Sequence, residues 1–354
     1  MHRKVGTYFA FLSGLAGRAG LVVKAVAEPH ALQTDSQPLF YLHFLEKLQW
    51  TTWTNNFMTA LSEETLIAYN KIGLIPGPGE DAEAFGQRVD YSLHLTARLP
   101  EELKSHLKDD LQPKEDQSNE ILQQAAANLK NRYDCAPDWT PLFFSDYKLP
   151  FWQGGCAWIF QMEENTPTSA LIQLRKNFKH SPRYLGIYHR NELLTHELSH
   201  CGRMMFQEPK FEEILAYRTS NSSFRRSFGA LLQSSKESAL IMLLLFMLIV
   251  FDVFLIALGR PDAYYLAFWL KLIPIALLAG SLIRLGKRQK NLDRCLENLE
   301  ACVGNDKAHA VVYRLQDREI LLFSKFTKQE IVEYAMHRKE EELRWKVIFK
   351  AYFI

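Results

Sequence analysis

Cysteine is scarce in this chain and poorly placed for pairing. Cys135, Cys156, Cys201, Cys295 and Cys302 are its five, and none falls in CxxC spacing. An odd, scattered set argues against a disulfide framework and suits a reducing compartment. A charge excess is also lacking, since 42 Lys and Arg against 40 Asp and Glu leave a formal net charge of +2. That balance gives no reason to expect nucleic acid or an acidic partner. Low-complexity tracts and internal repeats are missing too, which sets aside repeat architectures. What is present is a chain of 354 residues with 12% aromatics, enough for two modest domains or one with appendages.

At the N-terminus His2, Arg3 and Lys4 precede a moderately apolar stretch, Val5 to Val23, and Ala25-Val26-Ala27 has the small-x-small look of a cleavage site. Arg18 interrupts that stretch, so an amphipathic helix is the preferred expectation over a cleaved leader. From Leu39 to Tyr69 apolar residues recur at helical spacing, with Ser62 as an N-cap for Glu63 onward. Ile75-Pro76-Gly77-Pro78-Gly79 marks a loop, and polar helices are expected over 80–96 and 99–131, the second interrupted at Leu111-Gln112-Pro113. Past Pro137 the texture changes. Cys156–Phe160, Ala170–Leu174 and Tyr184–Tyr188 read as strands, followed by helices over 191–206 and 210–219.

Two apolar stretches follow. Ala239 to Leu258 has bilayer-spanning length and one charge, Asp252; Tyr264 to Ile283 is similar, with Lys271 and Pro274 inside it. Gly259-Arg260-Pro261-Asp262-Ala263 between them allows only a tight reversal, so a transmembrane helical hairpin is expected. Arg218, Arg225, Arg226 and Lys236 lie before it, and Arg284, Lys287, Arg288, Lys290 and Arg294 after it. The positive-inside rule then puts both flanks and both termini on the cytoplasmic side of an integral membrane protein. Asp252 and Lys271 point to helix pairing, or to a homo-oligomer formed through the hairpin. Beyond it, Leu292, Leu296, Leu299 and Val303 form one stripe. Thr327-Lys328-Gln329-Glu330 is a capping box, and Arg338 to Glu342 reads as a solvated face.

The stretch that carries chemistry is His196-Glu197-Leu198-Ser199-His200. On a helix, residues four apart share a face, so His196 and His200 can offer nitrogens to one metal ion. Glu197, rotated about 100° from His196, reaches past the metal to a coordinated water and suits a general base. Leu194, Leu198, Cys201 and Met205 form an apolar stripe beside the histidines. A catalytic zinc site needs a third protein ligand, and Phe211-Glu212-Glu213-Ile214-Leu215-Ala216-Tyr217 supplies a carboxylate near the start of a second helix.

Here the sequence resembles the zincin metallopeptidases of the gluzincin kind, over about residues 155–220. In those, two histidines of HExxH and a glutamate of a following ExxA-type helix bind zinc. The match falls on Glu213-Ile214-Leu215-Ala216, which makes Glu213 the implied third ligand and Glu212 the reserve. The motif-then-hairpin order is also similar to integral-membrane zincins whose third ligand follows the hairpin, but Asp317-Arg318-Glu319 lacks the ExxA context. Tyr217, Tyr188 and His189 are candidates for stabilising an oxyanion, Tyr217 foremost.

The expected class is α+β and mostly helical. A zincin-like sheet-plus-helix core (137–237) stands between an N-terminal segment (1–38) with a helical module (39–136) and the hairpin (238–284). A helical C-terminal region (285–354) follows. The expected activity is zinc-dependent hydrolysis of a peptide or protein substrate, with one Zn2+ per chain and a lipid bilayer as partner. The rival expectation is a non-enzymatic membrane adaptor displaying helical modules on the cytoplasmic side.

Overall fold

Capping residues set the first helices where the sequence predicts them. In the computed structural model, which describes residues 22–26, 62–95, 115–147, 149–161, 167–232, 235–259, 263 and 268–354, Ser62 accepts the Thr65 N–H at 3.2 Å to open α1 (Glu63–Lys71). Asp81 opens α2 (Ala82–Leu93) through the Ala84 N–H at 2.8 Å. The Pro/Gly run between them is a loop, and α3 (Glu115–Tyr133) follows. The rest of the helices expected over 39–69 and 99–131 lies outside the described residues.

A small sheet comes next, in the order β1-β3-β4-β2. β3 (Gly155–Gln161) pairs antiparallel with β4 (Ser169–Leu174), and β2 (Leu142–Phe144) adds parallel to β4. β1 (Val22–Val26) lies antiparallel along the other edge of β3, Val26 opposite Ala157. Val22 and Val23 therefore belong to a strand and not to the expected N-terminal helix; four of the five residues of β1 are Val or Ala, and the three Val favour a pleated surface. The expected strand Tyr184–Tyr188 is instead a tight hairpin, β5 (Arg183–Tyr184) against β6 (Tyr188–His189). Leu185 and Gly186 turn the chain with φ of 52° and 72°.

α4 (Arg190–Gly202) is buried from Leu193 onward, held between α3 on one side and β3 and β4 on the other. It stops four residues before the expected Phe206, so the core residue past its end is Met204, while Met205 is only partly buried. A turn leads to α5 (Glu212–Tyr217) and then α6 (Ser223–Phe228).

Among the described residues, α7 (Ser235–Ala257) and α8 (Leu272–Val303) are the two helices long and apolar enough to cross a membrane. Leu243, Leu245, Phe246, Ile249, Phe251 and Ile256 leave most of the circumference of α7 exposed, unlike the buried core helices that share this composition. Lys271 Nζ meets Asp252 Oδ2 at 2.8 Å, and Arg284 meets Glu237 at 3.0 Å, so the hairpin is pinned within the chain near both of its ends.

The second apolar stretch runs without a break into the Leu292, Leu296 and Leu299 stripe, where α8 leaves the hairpin and enters the core. α9 (Asn305–Tyr313), α10 (Asp317–Phe323), α11 (Lys328–Glu341) and α12 (Leu343–Ile348) complete the fold, α11 opening on the predicted Thr327–Glu330 capping box. One hydrophobic core runs from Leu66 through Leu194 and Tyr313 to Tyr352. The charge run departs from a solvated face at its end: Glu342 is buried and pairs with Arg344 at 2.8 Å.

Candidate metal centre

α4 carries its histidines inward because the helix is wrapped on every side, not because it is amphipathic. His196, Glu197 and His200 are each at most 6% exposed. Their positions are fixed by a scaffold at the end of α4. The Tyr313 hydroxyl donates to the Ser199 carbonyl at 2.6 Å, and Arg203 donates to the carbonyls of Tyr313 and Leu315. Gly202 permits that approach. A Cβ there would press on the Tyr313 hydroxyl and lie 3.1 Å from Cys135 Sγ.

The same C-terminal region shapes the turn into α5. Asp317 accepts the backbone N–H groups of Lys210 and Phe211 at 2.9 and 3.2 Å, and Arg288 donates to the Lys210 carbonyl at 3.1 Å. Tyr133 donates to the Leu215 carbonyl at 2.7 Å from the other side. These contacts swing the first turn of α5 against α4.

Donor groups of three residues then converge. His196 Nε2 and His200 Nε2 are 3.3 Å apart, and Glu213 stands 3.6 Å from each, through Oε2 to His196 and Oε1 to His200. Among the described residues these three form a group able to hold a metal ion. Glu213 Oε2 is buried with no hydrogen-bond partner, the environment a cation would relieve. Glu212 stands on the far side of His200, its Oε1 3.0 Å from Nδ1. It is thus not a rival ligand but a partner that fixes the imidazole's orientation and turns Nε2 inward.

The charges agree with that division. Burial opposes a proton on His200, but the Glu213, Glu212 and Glu197 carboxylates outweigh it and raise its pKa to about 9. Burial and then the neighbouring His200 push His196 well below the usual imidazole range. Burial lifts the Glu213 carboxyl. Two carboxylates and two imidazoles with little water make a pocket that draws a positive charge to the point between the nitrogens.

Glu197 faces the sheet. Its Oε2 accepts the Ala157 N–H of β3 at 2.7 Å. The Arg175 N–H reaches the Gly154 carbonyl across the β4 side of that strand, so by alternation Ala157 points to the opposite edge, the one β1 lines. The acid beside the metal group is therefore docked at the end of an edge strand.

No family model, curated protein or solved structure matches this chain.

The remaining expected site residues separate. The Tyr217 ring lies against His196, with centroids 4.5 Å apart and planes tilted by 60°, and Gly229 makes room for it. Tyr188 is buried in the β5–β6 hairpin, and His189 is exposed at the N-cap of α4, outside the converging group. Sequence reasoning missed Tyr313, Arg203, Asp317 and the Ala157 amide. Arg203 follows the motif directly, and an arginine at a helix end amid apolar residues is a signal for a buried partner. The other three are visible only once the chain is folded.

Proposed function

We propose that this chain is a zinc-dependent peptidase anchored to a membrane by its helical hairpin. The observation that carries the reading is the convergence of three ligand residues beside a buried acid: His196 Nε2 and His200 Nε2 are 3.3 Å apart, Glu213 Oε2 lies 3.6 Å from the first and Oε1 3.6 Å from the second. Tetrahedral zinc with bonds of 2.0–2.1 Å requires ligand separations of about 3.3–3.4 Å, which the two nitrogens meet. Two histidines and a carboxylate also serve non-haem iron. The buried carboxylate of Glu197, next in sequence to His196, favours zinc and hydrolysis.

When bound, zinc acidifies water and polarises a carbonyl. Glu197 takes the proton from the attacking water and later delivers it to the departing amine, so the C–N bond is replaced by a carboxylate and a free amine. Glu212 orients His200, and Tyr217, whose ring lies against His196, would stabilise charge on the carbonyl oxygen. The strand β1 that borders β3 beside Glu197 would align an extended peptide or protein segment along its outer edge.

The segments before and after the hairpin pack into one body, through Arg288 on Lys210 and the Arg218–Asp293 ion pair. That packing supports a reading with both segments on one side of the membrane, and their basic character favours the cytoplasmic side.

Metal analysis of the detergent-solubilised full chain tests the reading. About one zinc per chain is expected from a single His2Glu donor set. His196→Ala should lose it, while Glu197→Gln should keep the metal and lose hydrolysis. Hydrolysis retained by Glu197→Gln excludes the mechanism. A preparation free of metal in both wild type and variant favours the membrane adaptor.

A further inference from the structure

We propose that the β5–β6 tip and α6 form an apolar collar that enters the membrane interface beside the hairpin, setting the metal centre at the lipid surface. The inference rests on the hairpin being in a membrane and not on the peptidase reading.

Four large apolar side chains stand out from the folded body close to the hairpin. Ile187 is 57% exposed and Leu185 53% at the β5–β6 tip; Phe224 is 72% exposed and Phe228 45% on α6. The two Phe are one helical turn apart with ring centroids at 5.2 Å, so they share a face. Tip and helix are joined. Arg225 donates to the Ile187 carbonyl and its guanidinium lies over the Tyr188 ring. Leu185 is held at φ 52°, a conformation that bulky residues rarely adopt, and the turn leaves it facing outward.

The height of this patch follows from α8. Gln289 donates to the Ser227 carbonyl at the end of α6 at 2.8 Å, and Arg288 to the Ala230 carbonyl at 3.0 Å. Gln289 lies five residues beyond Arg284, the first charge after the apolar stretch. Five residues of helix rise about 7–8 Å, which is the depth of one headgroup layer. α6 thus sits where lipid headgroups begin. Its exposed Arg226, with the exposed Arg284 and Lys287 of α8, suits anionic lipid, and its Phe pair suits the acyl boundary. Continuity with the hairpin selects lipid as the occupant of the patch.

The metal centre is one layer away. Tyr217 contacts His196 on one side and Gly229, next to α6, on the other.

The full chain with Cys302→Ser, which removes the partly exposed native thiol, tests this with an environment-sensitive fluorophore. The label is placed in turn at Ile187→Cys, Phe224→Cys, Phe246→Cys and Gln329→Cys. Each protein is reconstituted in phosphatidylcholine–phosphatidylglycerol vesicles carrying acyl-chain spin-labelled lipid. The expected result is blue-shifted emission, quenched to about half or less, at 187 and 224 as at 246, with none at the solvent-facing 329. Quenching at 246 with water-like emission at 187 and 224 overturns the collar alone. A shift at 187 and 224 without lipid quenching marks burial against a second copy and overturns it as well. Absence of quenching at 246 removes the hairpin premise, and hydrolysis assays on the same proteins report on the peptidase separately.

Discussion

Glu212 and Glu213 are neighbours that both face His200, and the distances assign them unequal work. Glu213 stands 3.6 Å from both Nε2 atoms, while Glu212 stands 3.0 Å from Nδ1 on the outer side of the ring. Replacing Glu213 by Gln removes a charged donor from a buried pocket. Breaking a buried charge pair costs about 3–5 kcal/mol, which at 1.4 kcal/mol per decade is roughly a hundredfold to several thousandfold in metal affinity. Glu212→Gln keeps an oxygen that can accept from Nδ1, and partners of that kind typically cost 10- to 100-fold, about 1.4–2.8 kcal/mol. The expected order of zinc affinity is wild type, then Glu212→Gln, then Glu213→Gln. Competition against a chromogenic zinc chelator, with full-length protein in detergent, measures it directly. A larger loss for Glu212→Gln, or none for Glu213→Gln, refutes the assignment of the third ligand.

Glu197→Gln is expected to lower hydrolysis by about 10²–10⁴ with zinc retained. Glu197→Ala should in addition strand the Ala157 N–H and lose about 1–3 kcal/mol of stability, seen as a lower melting temperature than the Gln variant. Gly202→Ala forces a methyl against Tyr313 and Cys135, and about 1–3 kcal/mol of destabilisation is expected. Adding Tyr313→Phe, which removes the obstructing hydroxyl, should recover part of that loss, and strict additivity in the double-mutant cycle counts against the contact. Asp252→Leu removes the carboxylate that Lys271 meets at 2.8 Å within the apolar hairpin and should impair insertion by about 2.5–3.5 kcal/mol. In a glycosylation-mapping assay the double variant with Lys271→Leu should insert at least as well as wild type. Burial raises the Glu319 carboxyl, but its ion pair with Arg344 outweighs this and holds it below the usual range. That stabilisation is present above the unfolded glutamate pKa of about 4.3 and is lost as pH falls through the lower folded value. Glu319→Gln should flatten the acid limb of the stability profile, and an unchanged limb contradicts the pairing.

Much of the centre was legible because helical periodicity is local. Four-residue spacing put His196 and His200 on one face, and ExxA spacing pointed to Glu213, the carboxylate that the folded chain brings to them. The choice between adjacent glutamates was not legible, since it depends on how the 203–211 turn lays α5 against α4. That turn is set by Asp317, more than a hundred residues further along the chain, and by Arg288, 78 residues from Lys210. Capping signals at Ser62 and Thr327 were equally local and held. Strand readings held at β3 and β4, where apolar runs are long. They failed at Tyr184–Tyr188, where Gly186 supplies a turn, and at Val22–Val23, whose pairing partner lies over a hundred residues on. Asp252 and Lys271 were visible as anomalies, but only the folded hairpin shows that they answer each other.

The support of the histidine-bearing helix by residues from the far side of the hairpin has a consequence for biosynthesis. Ribosomes release this chain from its first residue, so the histidine helix emerges well before Arg288, Tyr313 and Asp317. Until those residues arrive, the turn bearing Glu213 lacks the contacts that orient it, and the donor set is incomplete. They arrive only after both apolar helices have been made. Assembly order alone thus leaves the donor group of a nascent copy incomplete until the whole hairpin exists.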